Sequence, residues 1–264
     1  MLWQRLRVLT SLSSALIVVL ALGSQSRLCS AATIAYGDLG PIAPGVMFTD
    51  IKESSGTDAV PLHGPPDAFA VGLDFDPASF AATANGGNED ITEGQVNFTI
   101  MGNVDGPNFV GIGTINLFEA GDYSLVGGGT AATQALAGAI MRAAVTQIDG
   151  VNVAPIDLTP VNASVGFNLA ANSGTVQPWS LGLSLNVGGQ LAARGVPFLA
   201  GATKVEVVID NQLIALSQPD SLAFIAKKEF RIDVDEEFIP EPSTALLGGL
   251  ALCGLGLAVR RRGG

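Results

Sequence analysis

Apolar and polar positions alternate most cleanly from Lys204 to Asp210, where Val205, Val207 and Ile209 share one phase. A period of two puts those side chains on one face of an extended chain, so the segment predicts a half-buried β-strand. Three more segments repeat the pattern: Gln95 to Met101 (Val96, Phe98, Ile100), Leu181 to Val187 (Leu181, Leu183, Leu185, Val187) and Glu229 to Val234 (Phe230, Ile232, Val234). Phe109 to Phe118 is interrupted by glycine but rich in β-branched residues. The stretch Glu119-Ala120-Gly121-Asp122 predicts a turn from it into a strand at Tyr123 to Val126, and Asn211-Gln212 a turn before Leu213 to Leu216. Asp149-Gly150, between Ala143 to Ile148 and Val151 to Ala154, predicts a hairpin because both residues tolerate positive φ.

One segment carries the other period. Thr130 to Val145 is alanine-rich, with Leu136, Ile140 and Met141 at helical spacing, and predicts a short helix capped by Thr130 or Thr133 and ending by Ala139 to Arg142. Asn85 to Asp90 and Pro61 to Pro66 read as exposed loops. Repeated short strands with glycine-rich turns predict an all-β domain of the sandwich or jelly-roll kind carrying that one helix.

Both ends of the chain have a different character. Met1 to Arg7 carries Arg5 and Arg7 and no acid, Val8 to Gly23 is apolar, and small residues follow at Cys29, Ser30, Ala31 and Ala32. This three-part layout predicts a signal peptide over 1–32, cleaved after Ala31 or Ala32. Ser26-Arg27-Leu28 before Cys29 does not fit a lipidation site. At the other end stand Pro240-Glu241-Pro242, an uncharged stretch from Ser243 to Val259, and Arg260-Arg261-Arg262. The prolines fix φ and lack an N–H, so they halt any regular structure before them. The 17 residues from Ser243 to Val259 form roughly 25 Å of helix at ~1.5 Å per residue, at the short end of what spans a bilayer. The arginines stop it on the cytoplasmic side.

In that order, Pro240-Glu241-Pro242, the helix over 243–259 and the arginine cluster over 260–262 resemble the PEP-CTERM sorting signal of exopolysaccharide-producing Gram-negative bacteria. The resemblance covers about a tenth of the chain, residues 239–262. It implies recognition by an exosortase, a transpeptidase-like membrane enzyme that removes the tail near Pro-Glu-Pro. It also implies passage through the secretion translocon, an inner-membrane intermediate, and release or transfer to the outer envelope or the extracellular space. The division that follows is a signal peptide over 1–32, one β-rich exported domain over 33–234, an acidic, proline-containing tether over 235–242, and the sorting signal.

Removing both ends changes the composition. The two cysteines, Cys29 and Cys253, lie in the end segments, so the exported part enters an oxidising compartment without thiols and is held by burial alone. It keeps seven basic against 24 acidic side chains, a net charge of −17. Such a surface disfavours nucleic acid and anionic membrane, and attracts divalent cations or basic partners.

Candidate chemistry is sparse. His63, the only histidine, lies in Leu62-His63-Gly64-Pro65 with no Gly-x-Ser-x-Gly elbow elsewhere, so no catalytic residue is assigned. Asp74 and Asp76 lie two apart on one strand face and are candidate ligands for Ca²⁺. They lack the Asp-x-Asp-x-Asp-Gly loop, which favours a solvated face and no cofactor. Asp233, Asp235, Glu236 and Glu237 sit at the tether. Gly127-Gly128-Gly129-Thr130 lacks the lysine of a phosphate loop and reads as a turn. Trp179, after Pro178, reads as a plug at the end of the sandwich ahead of a sugar-stacking platform. The function expected is that of an exported, non-enzymatic surface or matrix protein associated with exopolysaccharide. The alternative is a carbohydrate-binding module or a hydrolase acting on that polymer.

Overall fold

A computed structural model describes residues 32–236, apart from 41–44, 70, 103 and 106–107. The expected signal peptide up to Ala31, Glu237 of the tether, Pro240-Glu241-Pro242, the helix over 243–259 and Arg260 to Arg262 lie outside the described residues. Among the described residues no helix is long and apolar enough to cross a membrane.

The chain order is β1 (Ala32–Leu39), β2 (Val46–Ser55), β3 (Asp67–Phe69), β4 (Gly72–Phe75), β5 (Ala81–Asn85), β6 (Glu89–Gly102), β7 (Val104–Asp105), β8 (Asn108–Phe109), β9 (Ile112–Gly127), β10 (Gln134–Ile148), β11 (Val151–Asp157) and β12 (Val161–Asn168). Then follow α1 (Leu169–Asn172), β13 (Gly174–Asn186), α2 (Val187–Ala193), β14 (Ala202–Leu216) and β15 (Ser221–Glu236). All pairings in the main sheet are antiparallel, and they fall into two halves. One runs β1-β2-β6-β14-β10, with β11 and β12 beyond β10. The other has β13-β9-β15 at its centre, flanked by β4-β3 and β5. A single bridge, Ala202 to Ile112, joins β14 to β9, which makes the molecule a sandwich close to a flattened barrel.

The alternating phase of each long strand fills the space between the halves. Val96, Phe98 and Ile100 of β6 and Val205, Val207, Ile209 and Leu213 of β14 are buried from one half. Ile115, Leu117 and Leu125 of β9 and Ile225, Phe230 and Ile232 of β15 are buried from the other, in one continuous cluster. Each such side chain contributes about 1.5–3 kcal/mol on leaving water. Asp149 and Gly150 have φ of 49° and 77°, as the hairpin between β10 and β11 requires. The Asp149 carboxylate also accepts N–H bonds from Leu199, Ala200 and Gly201.

Several local expectations yield to tertiary pairing. The helix expected over Thr130 to Val145 is instead β10. Ala135, Ala137, Ala139, Met141, Ala143 and Val145 are buried at every second position, and β10 is bonded along both edges, to β14 and to β12. Alanine's helical preference, a few tenths of a kcal/mol per residue, is small beside two ladders of hydrogen bonds. The two observed helices lie elsewhere and are short, capped by Asn168 and Asn186. Val187 opens α2 where a strand position was expected. Asn211-Gln212 and Glu119 to Asp122 do not turn; both run mid-strand, in β14 and β9. Gly121 serves close packing there, since a Cβ would stand 1.9 Å from the Ala226 carbonyl oxygen. The stretch from Pro61 to Pro66 is a loop but folds inward, with Leu62, His63 and Pro66 buried. The loop expected over Asn85 to Asp90 narrows to the turn between β5 and β6, where Gly86 and Gly87 have positive φ. β15 continues past Val234 to Glu236, so the first two tether residues belong to the sheet.

Candidate functional site

Two polar groupings stand out, one on the outer face of the β2-β6-β14-β10-β12 sheet and one inside the sandwich. The first is a cleft of about 810 Å³. Register places Ser54, Gln95, Asp210, Ile140 and Asn162 in one row across the five strands. Glu93, Gln212, Gly138 and Ser164 form the next row. The rows are laced together. The Gln95 amide donates to Asp210 Oδ1 at 2.6 Å, Asn97 donates to Gln95 Oε1 at 2.9 Å, and Gln212 donates to Glu93 Oε1 at 2.6 Å. Arg142 pairs with the other Asp210 oxygen. Gly138 leaves the floor open, with nothing nearer than 3.8 Å to where a Cβ would stand. Among the described residues no aromatic side chain lines this cleft. The result is a shallow trough of amides and hydroxyls, whose donors and acceptors suit a polyhydroxylated ligand.

The second grouping is fully enclosed. Lys227 (β15), Glu119 (β9) and Asn211 (β14) are 2%, 0% and 3% exposed. Lys227 Nζ stands 2.8 Å from Glu119 Oε2, donates to Asn211 Oδ1, and lies 4.7 Å and 4.9 Å from the ring centres of Phe80 and Phe230. Glu119 Oε1 and Asn211 Nδ2 have no hydrogen-bond partner. Burial drives the Glu119 carboxyl up, against the pull of Lys227, and drives the Lys227 amine down, against the pull of Glu119. Both shifts favour uncharged partners.

Beyond the same phenylalanines lies His63, with ring centres 4.8 Å from Phe80 and from Phe230. Its Nδ1 is 3.2 Å from Glu53 Oε1, which also accepts the N–H of Leu62 and of His63 itself. The Tyr36 hydroxyl donates to Glu53 Oε2 at 2.6 Å. Burial lowers the His63 pKa to about 4, more than Glu53 raises it, so the ring is neutral at pH 7 and donates from Nδ1. Burial would raise Glu53, but hydrogen bonds from His63 and Tyr36 outweigh it and hold the carboxyl at about 2. Burial and the bond to Glu53 push the Tyr36 hydroxyl well above its usual range.

The other residues singled out from sequence are scattered. Asp74 and Asp76 are both exposed; Asp74 pairs with Arg231 of β15 on the solvent side, and neither aspartate joins either grouping. Among the described residues no three His, Cys, Asp or Glu side chains converge as a metal site. Trp179 is buried, 4% exposed, but it sits midway along β13 opposite Gly121 and not at the end of the sandwich, with Nε1 donating to the Ala226 carbonyl. Gly127 ends β9, and Gly128 to Thr130 form the connection that leads into the turn before β10, with the Gly128 N–H donating to the Asp220 carbonyl. Asp233 accepts from Arg231 and Asp235 from Asn116. Sequence reasoning passed over Glu119, Asn211 and Lys227. The signal was present, because each occupies the inward phase of its strand: Glu119 follows Ile115 and Leu117, Asn211 follows Val207 and Ile209, and Lys227 follows Ala223 and Ile225.

Fold and ends together define a thiol-free, all-β module followed by a membrane-directed tail. The tail is specific: residues 238–262 match the PEP-CTERM protein-sorting motif. The chain therefore carries a sorting signal that implies export, sorting at the membrane and processing by an exosortase, a membrane enzyme. No curated protein matches the chain. Among solved structures, it is similar to the enzymatically active domain of tailspike protein 4 from bacteriophage CBA120, at 11% identity and a TM-score of 0.19. That match covers 76% of this chain and 20% of the other, and it carries no argument about function.

Proposed function

We propose that the exported module is a non-enzymatic protein of the cell surface or extracellular matrix, held among exopolysaccharide. The observation that carries this reading is a sorting tail at 238–262 on a domain whose outer sheet presents an amide-rich cleft. Carboxylates in the cleft, Glu93 and Asp210, are both engaged in hydrogen bonds, which supports contact with a neutral polymer ahead of acid–base chemistry. The polymer is the producing organism's own polysaccharide. Native gel electrophoresis through that polymer tests the reading: the protein is retarded, and replacing Gln95 and Gln212 by alanine weakens retardation at least tenfold with an unchanged Tm. Equal migration of the wild type with and without polymer refutes it. The second reading, a hydrolase, rests on the same cleft and predicts release of new reducing ends from the polymer.

A further inference from the structure

The buried Lys227–Glu119–Asn211 cluster has the parts of an amide-forming centre. A primary amine, a primary carboxamide and a carboxyl group share one enclosed, aromatic-walled space. An ion pair sealed away from water is a poor source of stability, since desolvation cancels most of its attraction. The cluster is also incompletely satisfied as an ion pair, because Glu119 Oε1 and Asn211 Nδ2 are both orphaned. Such groups in a core call for an explanation, and a reaction that consumes them supplies one. We propose that Lys227 and Asn211 join in an intramolecular isopeptide bond, formed without any other enzyme and promoted by Glu119.

The step balances within these three side chains. The lone pair of Lys227 Nζ attacks Asn211 Cγ while the Glu119 carboxyl donates its proton to Oδ1, giving a tetrahedral centre. Glu119, now a carboxylate, takes a proton from Nζ and passes it to Nδ2, which leaves with the C–N electron pair as ammonia. The Oδ1 proton then returns to Glu119 as the carbonyl re-forms. The product is a secondary amide between Nζ and Cγ; nothing is oxidised or reduced, and Glu119 ends as it began. The protonation states needed, a neutral amine and a neutral acid, are those that burial favours at each group. Aromatic walls at Phe80 and Phe230 keep water from competing for the acid.

Position gives the bond a consequence. Asn211 belongs to β14 in one half of the sandwich, and Lys227 and Glu119 belong to β15 and β9 in the other. Among the described residues the Ala202–Ile112 bridge is the one ladder pairing between the halves, and the amide adds a covalent staple through the core. In a thiol-free module facing an oxidising exterior, it takes the place of a disulfide. This inference goes beyond the proposed surface role and does not depend on the cleft.

Mass spectrometry of the purified full chain tests it. The intact mass should fall below the sequence value by roughly 17 Da, the ammonia lost on forming one amide. A tryptic digest should lack cleavage after Lys227 and contain a branched peptide joining Lys227 to Asn211. Full intact mass with normal cleavage after Lys227 overturns the proposal. The branched peptide separates it from ammonia loss elsewhere, and a mass deficit without that peptide also overturns it. Glu119→Ala should restore the full mass in protein that still folds; persistence of the branched peptide in that variant overturns the role given to Glu119. Should the variant fail to fold, the wild-type digest decides by itself.

Discussion

Acid should loosen this fold through His63, by an amount that follows from one group. The ring is sealed in the core and its pKa falls from 6.5 to about 4, chiefly because burial disfavours the imidazolium. A base with a depressed folded pKa binds protons more readily when unfolded. Its stabilising effect is therefore complete above about pH 6.5 and drains away as the pH falls toward 4. Taking about 1.36 kcal/mol per pKa unit, the loss relative to pH 7.5 is about 2 kcal/mol at pH 5 and about 3 kcal/mol at pH 4. The overall acidic charge works in the opposite direction, since partial neutralisation relieves repulsion. Urea unfolding of the wild type should therefore be compared with His63→Gln, which keeps a donor but cannot titrate. The fixed cost of the substitution and the general charge effect cancel in the pH dependence of the difference. Glu53 joins in only below its unfolded value of 4.5, so the pH 5 point reports chiefly His63. The stability gap between the two proteins should shrink by about 2 kcal/mol from pH 7.5 to pH 5. A gap that stays constant over that range would refute the reasoning, and would mean that the ring is solvated or charged in the folded protein.

Three further outcomes are expected. Trp179→Ala removes a buried ring and its bond to the Ala226 carbonyl, and should cost about 3–5 kcal/mol in chemical denaturation. Gly121→Ala drives a methyl group to within 1.9 Å of the Ala226 carbonyl oxygen, a backbone atom that cannot swing away. It should cost at least about 1–3 kcal/mol, whereas Gly56→Ala, with nothing within 4 Å, should leave the Tm nearly unchanged. Replacing Pro240, Glu241 and Pro242 together should trap the chain in the inner membrane, as read by fractionation and immunoblotting; wild-type release of the shortened form would contradict that.

Local pattern by itself determined where several of the strands lie and which of their faces turn inward. Val205, Val207 and Ile209, or Phe230, Ile232 and Val234, are legible because a period of two is a property of neighbouring residues. The Asp149-Gly150 turn and the sorting tail are local in the same sense, the one set by φ and the other by a contiguous motif. Tertiary structure alone decided the rest. Whether Gln134 to Ile148 coils or extends depends on β12 and β14 standing on either side of it, and alanine permits both. Glu119 to Asp122 and Asn211-Gln212 contain turn-forming residues, yet long partner strands on both edges keep them extended. The cleft is a set of rows across five strands, and the Lys227–Glu119–Asn211 cluster draws on three strands from two halves of the sandwich. Pairing partners distant in sequence are selected by the packing of the whole core, so no window along the chain could have shown which polar side chains would meet inside it.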